Sequence, residues 1–207
     1  MASNAQVIPL MPRRRGRPPK QAGPATFERL LDAAAAACVE QGYEGATVAD
    51  VAARAGVTPT AIYNHVGSRD ELMVAAARRA LAGLADIDTD AGGPFDPAAR
   101  AAALVRRDLD PGFADSRRLV AELHLASGRH AALAELLGAW HDEQAARWVR
   151  RLGGRRTVRL ATTKAFFLLL LGACHVGSLG ALDAPDAATA AALEGAAMSL
   201  FQPGGHP

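Results

Sequence analysis

With 207 residues, half of them hydrophobic and only 5% aromatic, the chain can bury a sizeable core, and its alanine-rich composition favours helix. The net charge of +2 hides an asymmetry: residues 1–25 carry Arg13, Arg14, Arg15, Arg17 and Lys20 with no acidic residue, so everything after them is slightly acidic. No alternating β-branched run bounded by turn signals argues for a sheet. Cys38 and Cys174 lie far apart inside apolar helical patterns, without disulfide or metal spacing. Residues 1–25 also lack the apolar stretch of a secretion signal, which makes the cytoplasm the expected compartment.

In chain order, the basic segment comes first. Its five prolines and lack of apolar pattern predict an arm that is disordered on its own. Within it, Arg15-Gly16-Arg17-Pro18 resembles an AT-hook core, with Arg15 and Arg17 lying in a narrow minor groove. The other reading is a solvated basic tail that touches phosphates without register. Phe27, Leu30, Leu31, Ala34 and Cys38 then form a helical stripe that ends at Gly42.

Residues 47–66, TVADVAARAGVTPTAIYNHV, read as two short helices around a glycine turn. Thr47 caps a run in which Val48, Val51, Ala52 and Ala55 share one face. Gly56 suits the left-handed residue that ends a helix. Thr58 and Pro59 open the second helix. Ile62 and Val66 face inward with Val57, leaving Pro59, Thr60, Tyr63 and Asn64 outward on a surface narrow enough for a major groove. Ser68 and Glu71 form a capping box that opens a further helix over residues 70–85.

At this point residues 26–77 resemble the N-terminal domain of TetR-type transcriptional regulators. The resemblance rests on Gly42-Tyr43, Thr47, the Ala55-Gly56-Val57 turn, Tyr63 with His65, and the helix start from Ser68 to Leu72. It implies an all-α protein with a three-helix helix-turn-helix DNA-binding domain over residues 26–85 and a C-terminal helical ligand-binding and dimerisation domain over residues 97–202. It further implies a phosphate-contacting pair in Tyr63 and His65, with Arg69 where the family usually has lysine. Thr47 would present its hydroxyl and the helix N-terminus to phosphate. Thr60 and Asn64 are the residues whose chemistry suits base edges, with Pro59 adding apolar contact. The expected DNA-binding set is therefore Arg15, Arg17, Thr47, Thr58, Pro59, Thr60, Tyr63, Asn64, His65 and Arg69.

Residues 86–97 lose periodicity and cluster Gly and Pro, the mark of a connection. Five helices follow over residues 97–109, 115–127, 131–152, 157–182 and 187–201. The third is amphipathic, with Leu133, Leu136, Leu137, Trp140 and Trp148 opposite Asp142, Glu143 and Arg147. Residues 165–174, AFFLLLLGAC, are apolar all round; they are too few to span a bilayer, so burial from both sides is expected. The resemblance implies a homodimer through the last two helices, where Gly172, Gly177, Gly180, Ala192, Gly195 and Ala196 would allow close backbone approach. It also implies a small-molecule effector among the C-terminal helices. Candidate lining residues are His124, Trp140, His141, Phe166, Phe167 and His175, each of which also reads as ordinary core or surface.

No metal is expected from His124, His130, His141 and His175, because no pair has one-turn helical spacing. No cofactor is expected, and no Gly-x-Ser-x-Gly elbow, dinucleotide fingerprint or His-Glu-x-x-His argues for catalysis. The sequence thus predicts a regulator acting as a dimeric, ligand-responsive repressor on double-stranded DNA. The competing reading is an architectural protein that uses the arginine arm with little sequence preference.

Overall fold

A computed structural model describes residues 24–87, 95–176 and 186–202. Arg15, Arg17, Gly177 and Gly180 lie outside the described residues, as does most of the predicted connection. Nine α-helices are described: α1 Pro24–Gly45, α2 Val48–Ala55, α3 Pro59–Tyr63, α4 Arg69–Ile87, α5 Pro97–Leu109, α6 Ala114–Ser127, α7 Ala131–Arg151, α8 Arg156–Val176 and α9 Ala187–Ser199. A single 3₁₀ turn, Pro111–Phe113, joins α5 to α6. Among the described residues there is no strand.

The helix ends follow from local chemistry. The Asp96 carboxylate accepts from the N–H groups of Ala98 and Ala99 at 2.9 and 3.1 Å, with Pro97 at the first helical position of α5. Asp186 caps α9 through the N–H of Thr189 at 2.7 Å, and that bond holds its carboxyl below the usual carboxylate range. Gly42 breaks the end of α1 with φ 77° and ψ 165°, a conformation that only glycine takes without strain. At the end of α7, Arg159 of α8 donates to the carbonyls of Val149 and Leu152 at 2.8 and 3.0 Å, satisfying acceptors that the helix leaves open.

Two apolar clusters hold the helices together. The first joins α1 to α4 through Leu30, Ala34, Tyr43, Val51, Ile62, Leu72 and Leu81, and it continues into Leu123 of α6 and Leu133, Leu136 and Leu137 of α7. The segment expected to bind DNA therefore shares its core with the next part of the chain. The second cluster packs Ala101, Leu104 and Val105 of α5 with Trp148 of α7, Phe166 of α8 and Ala197 of α9.

The expectation for residues 165–174 needs correction. Phe166 is fully buried and Cys174 nearly so, but Leu168 is 69% exposed and Ala165 and Gly172 are exposed. Only one side of α8 meets α5, α6 and α7. Ala161, Ala165, Leu168 and Gly172 recur at helical spacing and form an open stripe. The whole helix, Arg156–His175, is long and apolar enough by length and composition to cross a membrane, with a mean hydropathy of 1.4.

Candidate DNA-binding face and internal cavity

The helix-turn-helix forms as the sequence predicts. Thr47 precedes α2, and its Oγ1 accepts from the N–H of Asp50 at 3.1 Å while donating to the Asp50 carboxylate. Gly56 adopts φ 68° and ψ 36°, and the N–H of Val57 reaches back to the Ala52 carbonyl at 3.0 Å. That pairing closes α2 in the manner of a Schellman turn. Thr58 caps α3 by accepting from Ala61 N–H at 3.3 Å. α3 is only five residues long, too short to be stable by its own hydrogen bonds. Its anchor is Ile62, which has no exposed surface.

Thr58, Pro59, Thr60, Tyr63 and Asn64 are exposed on one face, Tyr63 to 52%. Thr47 is exposed at the start of α2. His65 is half-buried: its ring stacks on Phe27 of α1 with centroids 5.6 Å apart, so only its rim is open to a partner. Arg54 forks onto the Glu40 carboxylate and ties α2 to α1, which holds that carboxyl below its ordinary range.

Arg69 departs from its expected place. Its guanidinium turns inward: Nε donates to the Ala46 carbonyl at 2.9 Å, Nη2 donates to the Tyr43 carbonyl, and Nη1 meets Asp70 at 3.0 Å. It also lies 5.1 Å over the Tyr43 ring. The carbonyls left open by the break at Gly42 need donors, and a planar guanidinium can supply several at once. Arg69 thus braces the α1–α2 corner and does not project from the α3 face.

In the second part of the chain, α5, α6, α7 and α8, with the 3₁₀ turn and the end of α4, line a partly open cavity of about 90 Å³. Its wall is largely apolar, with Trp140, Trp148, Phe113 and Phe167 supplying the aromatic surface. Of the six residues expected to line it, Trp140, His141 and Phe167 do so. His124 stands behind His141, their Nε2 atoms 2.8 Å apart, and the rings of His175 and His124 are 6.4 Å apart. Phe166 instead packs in the second core against Trp148 and Phe201, at 5.1 and 5.5 Å. Among the lining residues that the sequence reading missed are four charged or amide side chains: Arg107, Asp108, Arg117 and Gln144.

Three of these are unusual core occupants. Asp108, Arg117 and Gln144 are each at most 5% exposed. Arg107 donates through Nε and Nη2 to the same Asp108 oxygen at 3.0 and 2.8 Å, and it covers the Phe113 ring at 4.7 Å. Burial pushes the Asp108 carboxyl above its ordinary range, against the pull of Arg107. Arg117 donates to the carbonyls of Asp108 and Asp110, closing the end of α5. Within this group two buried donors have no acceptor, Arg107 Nη1 and Gln144 Nε2.

The histidine pair makes stability depend on pH. His124 Nδ1 must donate to the Val120 carbonyl at 2.7 Å, because a carbonyl only accepts; its Nε2 then accepts from His141. Burial lowers both pKa values below 6.5, so the unfolded chain takes up protons first as pH falls. Stability is therefore retained above the ordinary histidine value and lost as pH drops below it. The melting temperature should fall between pH 7 and pH 5.5, and His141→Gln should flatten that slope in thermal melts. An unchanged slope would show that the pair does not titrate on unfolding.

A helix-turn-helix with an exposed, carboxylate-free recognition face, on an all-helical chain, defines a DNA-binding regulator. Residues 30–76 match the family of bacterial regulatory proteins, tetR family. The match covers the helix-turn-helix and the helices that flank it, from within α1 to within α4. The fold is similar to a transcriptional regulator from Rhodococcus sp. Rha1, with a TM-score of 0.75 and 22% identity over 84% of this chain and 95% of that one. It is also similar to the multidrug binding protein EbrR complexed with imidazole, with a TM-score of 0.67 and 25% identity over 94% and 98% of the two chains. A third likeness is to a transcriptional regulator from Saccharomonospora viridis in complex with choline, with a TM-score of 0.67 and 16% identity over 84% and 93%. No match was found among curated proteins.

Proposed function

We propose that the protein is a ligand-responsive transcriptional repressor that binds a near-palindromic operator as a homodimer. Thr60 and Asn64 read base edges, Pro59 adds apolar contact, and Thr47, Thr58, Tyr63 and the rim of His65 meet phosphates. Arg15 and Arg17 of the basic arm add electrostatic attraction. The observation that carries ligand responsiveness is the route by which the cavity wall reaches the recognition unit. Val120 of α6 lines the cavity, and two residues on, Glu122 accepts from the Tyr43 N–H at 3.2 Å. Arg69 bonds the Tyr43 and Ala46 carbonyls, one residue before the Thr47 cap of α2. A ligand that moves α6 thereby changes where α2 and α3 stand, and it shifts the population away from the DNA-competent arrangement. The neighbours with imidazole and choline support a ligand-binding role for this fold.

Dimerisation is supported by the open stripe of α8 and by the exposed small residues Ala188, Ala192, Gly195 and Ala196 of α9. A bilayer is a poorer occupant for this face, because α8 carries exposed Lys164 within its length and Arg155 and Arg156 at its start.

Fluorescence anisotropy on the DNA upstream of the protein's own gene and on a shuffled duplex, at several salt concentrations, tests the reading. Tight binding of one dimer to the native duplex alone is the expected result. Asn64→Ala should then cost about 1–3 kcal/mol of base preference, while removing residues 1–20 lowers affinity and the salt slope. Equal, steeply salt-dependent binding to both duplexes, with no site recovered by selection from random DNA, would favour the architectural reading.

A further inference from the structure

The cavity's polar groups are unbalanced in one direction. Arg107 and Arg117 bring two permanent positive charges to its wall and Asp108 brings one negative charge, while the burial that lowers the pKa of His141 favours its neutral form. Both wall atoms left without a hydrogen-bond partner are donors, Arg107 Nη1 and Gln144 Nε2, and Gln144 is only 5% exposed. Native interiors rarely leave such groups unmatched. The missing complement is an acceptor, and the excess positive charge asks for an anionic one. The remaining wall is apolar and aromatic, and its free volume of about 90 Å³ holds a body on the order of ten heavy atoms.

We propose that the effector is a small monocarboxylate with an apolar, preferably aromatic, body, its carboxylate held by Arg107 Nη1 and Gln144 Nε2. The assignment rests on the ligand-responsive reading above and specifies its ligand. A quaternary ammonium ion would bring a second positive excess to the wall and leave both donors open. A neutral amide would satisfy the donors without compensating the charge.

Trp140 and Trp148, the chain's two tryptophans, both line the cavity, so intrinsic fluorescence reports occupancy directly. The full chain is titrated with phenylacetate, benzoate and hexanoate, and with phenylacetamide and phenethylamine as neutral and cationic counterparts. Phenylacetate should saturate the signal and bind about tenfold or more tightly than phenylacetamide, with phenethylamine silent. Gln144→Leu, which removes one donor without adding charge, should weaken phenylacetate about tenfold and shrink the acid-over-amide preference. Gln144→Glu should abolish phenylacetate binding; thermal melts check that both variants fold, and Gln144→Leu carries the test if the acidic variant does not. Three results would overturn the assignment: silence of all three carboxylates at millimolar concentration, amide or amine binding as tight as the acid, or phenylacetate affinity unchanged in a folded Gln144→Leu. Operator release is measured separately. Phenylacetate binding without release keeps the carboxylate site but overturns its role as the effector site, whereas release by phenethylamine supports ligand responsiveness and overturns the carboxylate assignment.

Discussion

Replacing Ile62 by alanine should abolish operator binding while leaving most of the fold intact. Ile62 is fully buried, and it is the one residue that the five-residue α3 commits to the core. Truncating a buried isoleucine costs about 2–5 kcal/mol through lost transfer energy and the cavity left behind. If the whole chain felt that loss, the melting temperature would fall by roughly 2–4 °C for each kcal/mol in a protein of this size. A second route is open to α3. A helix this short cannot persist once its anchor is gone, so local detachment relieves the strain without global unfolding. The expected signature is a modest drop in melting temperature with a loss of specific DNA affinity of about a hundredfold or more. Thermal melts and anisotropy on the same preparation separate the two routes. A variant that melts much lower yet binds DNA normally when folded would show that α3 is positioned by its flanking turns and not by Ile62.

The recognition unit was legible in the sequence because its geometry is local. Thr47, Gly56 and Thr58 act through bonds to neighbours within five residues, and the side-chain types that make such bonds are few. Arg69 was misread because its partners, the carbonyls of Tyr43 and Ala46, lie 26 and 23 residues away, and nothing local shows which way a long side chain turns. The cavity's polar residues did leave a signal. Asp108 continues the spacing of Ala101, Leu104 and Val105 on α5, and Gln144 falls on the stripe from Leu133 through Leu137 and Trp140 to Trp148 on α7. A charged or amide group on an apolar stripe marks either a paired interior site or a cavity. Reading the stripes only for hydrophobic residues passed over both. The exposed side of α8 was hidden for the opposite reason: an all-apolar helix looks the same in sequence whether its own chain or a second copy covers it.

That open side leads to the second large effect. Leu168→Glu should convert the protein to a monomer and cost most of its operator affinity. Leu168 is 69% exposed in the protomer, so the substitution removes almost no packing within one chain. A carboxylate there would face apolar surface in a two-fold arrangement, with the same residue close by on the partner and no cation supplied to meet it. Gly195→Leu is an independent probe. A Cβ at Gly195 or at Gly172 meets nothing within 4 Å in the protomer, so a side chain there starts in open space, yet it blocks close approach of a second backbone. Light scattering should show a wild-type dimer at micromolar concentration and monomers for Leu168→Glu, with Gly195→Leu shifted toward monomer. Far-ultraviolet circular dichroism should remain helical in all three. Because two linked recognition units bind successive grooves with high effective concentration, losing the link should weaken operator binding by about 10² to 10⁴-fold, while a single half-site is bound equally by wild type and variant. A wild-type monomer, or a Leu168→Glu variant that stays dimeric, would place the pairing surface elsewhere and leave the apolar face of α8 for a different partner.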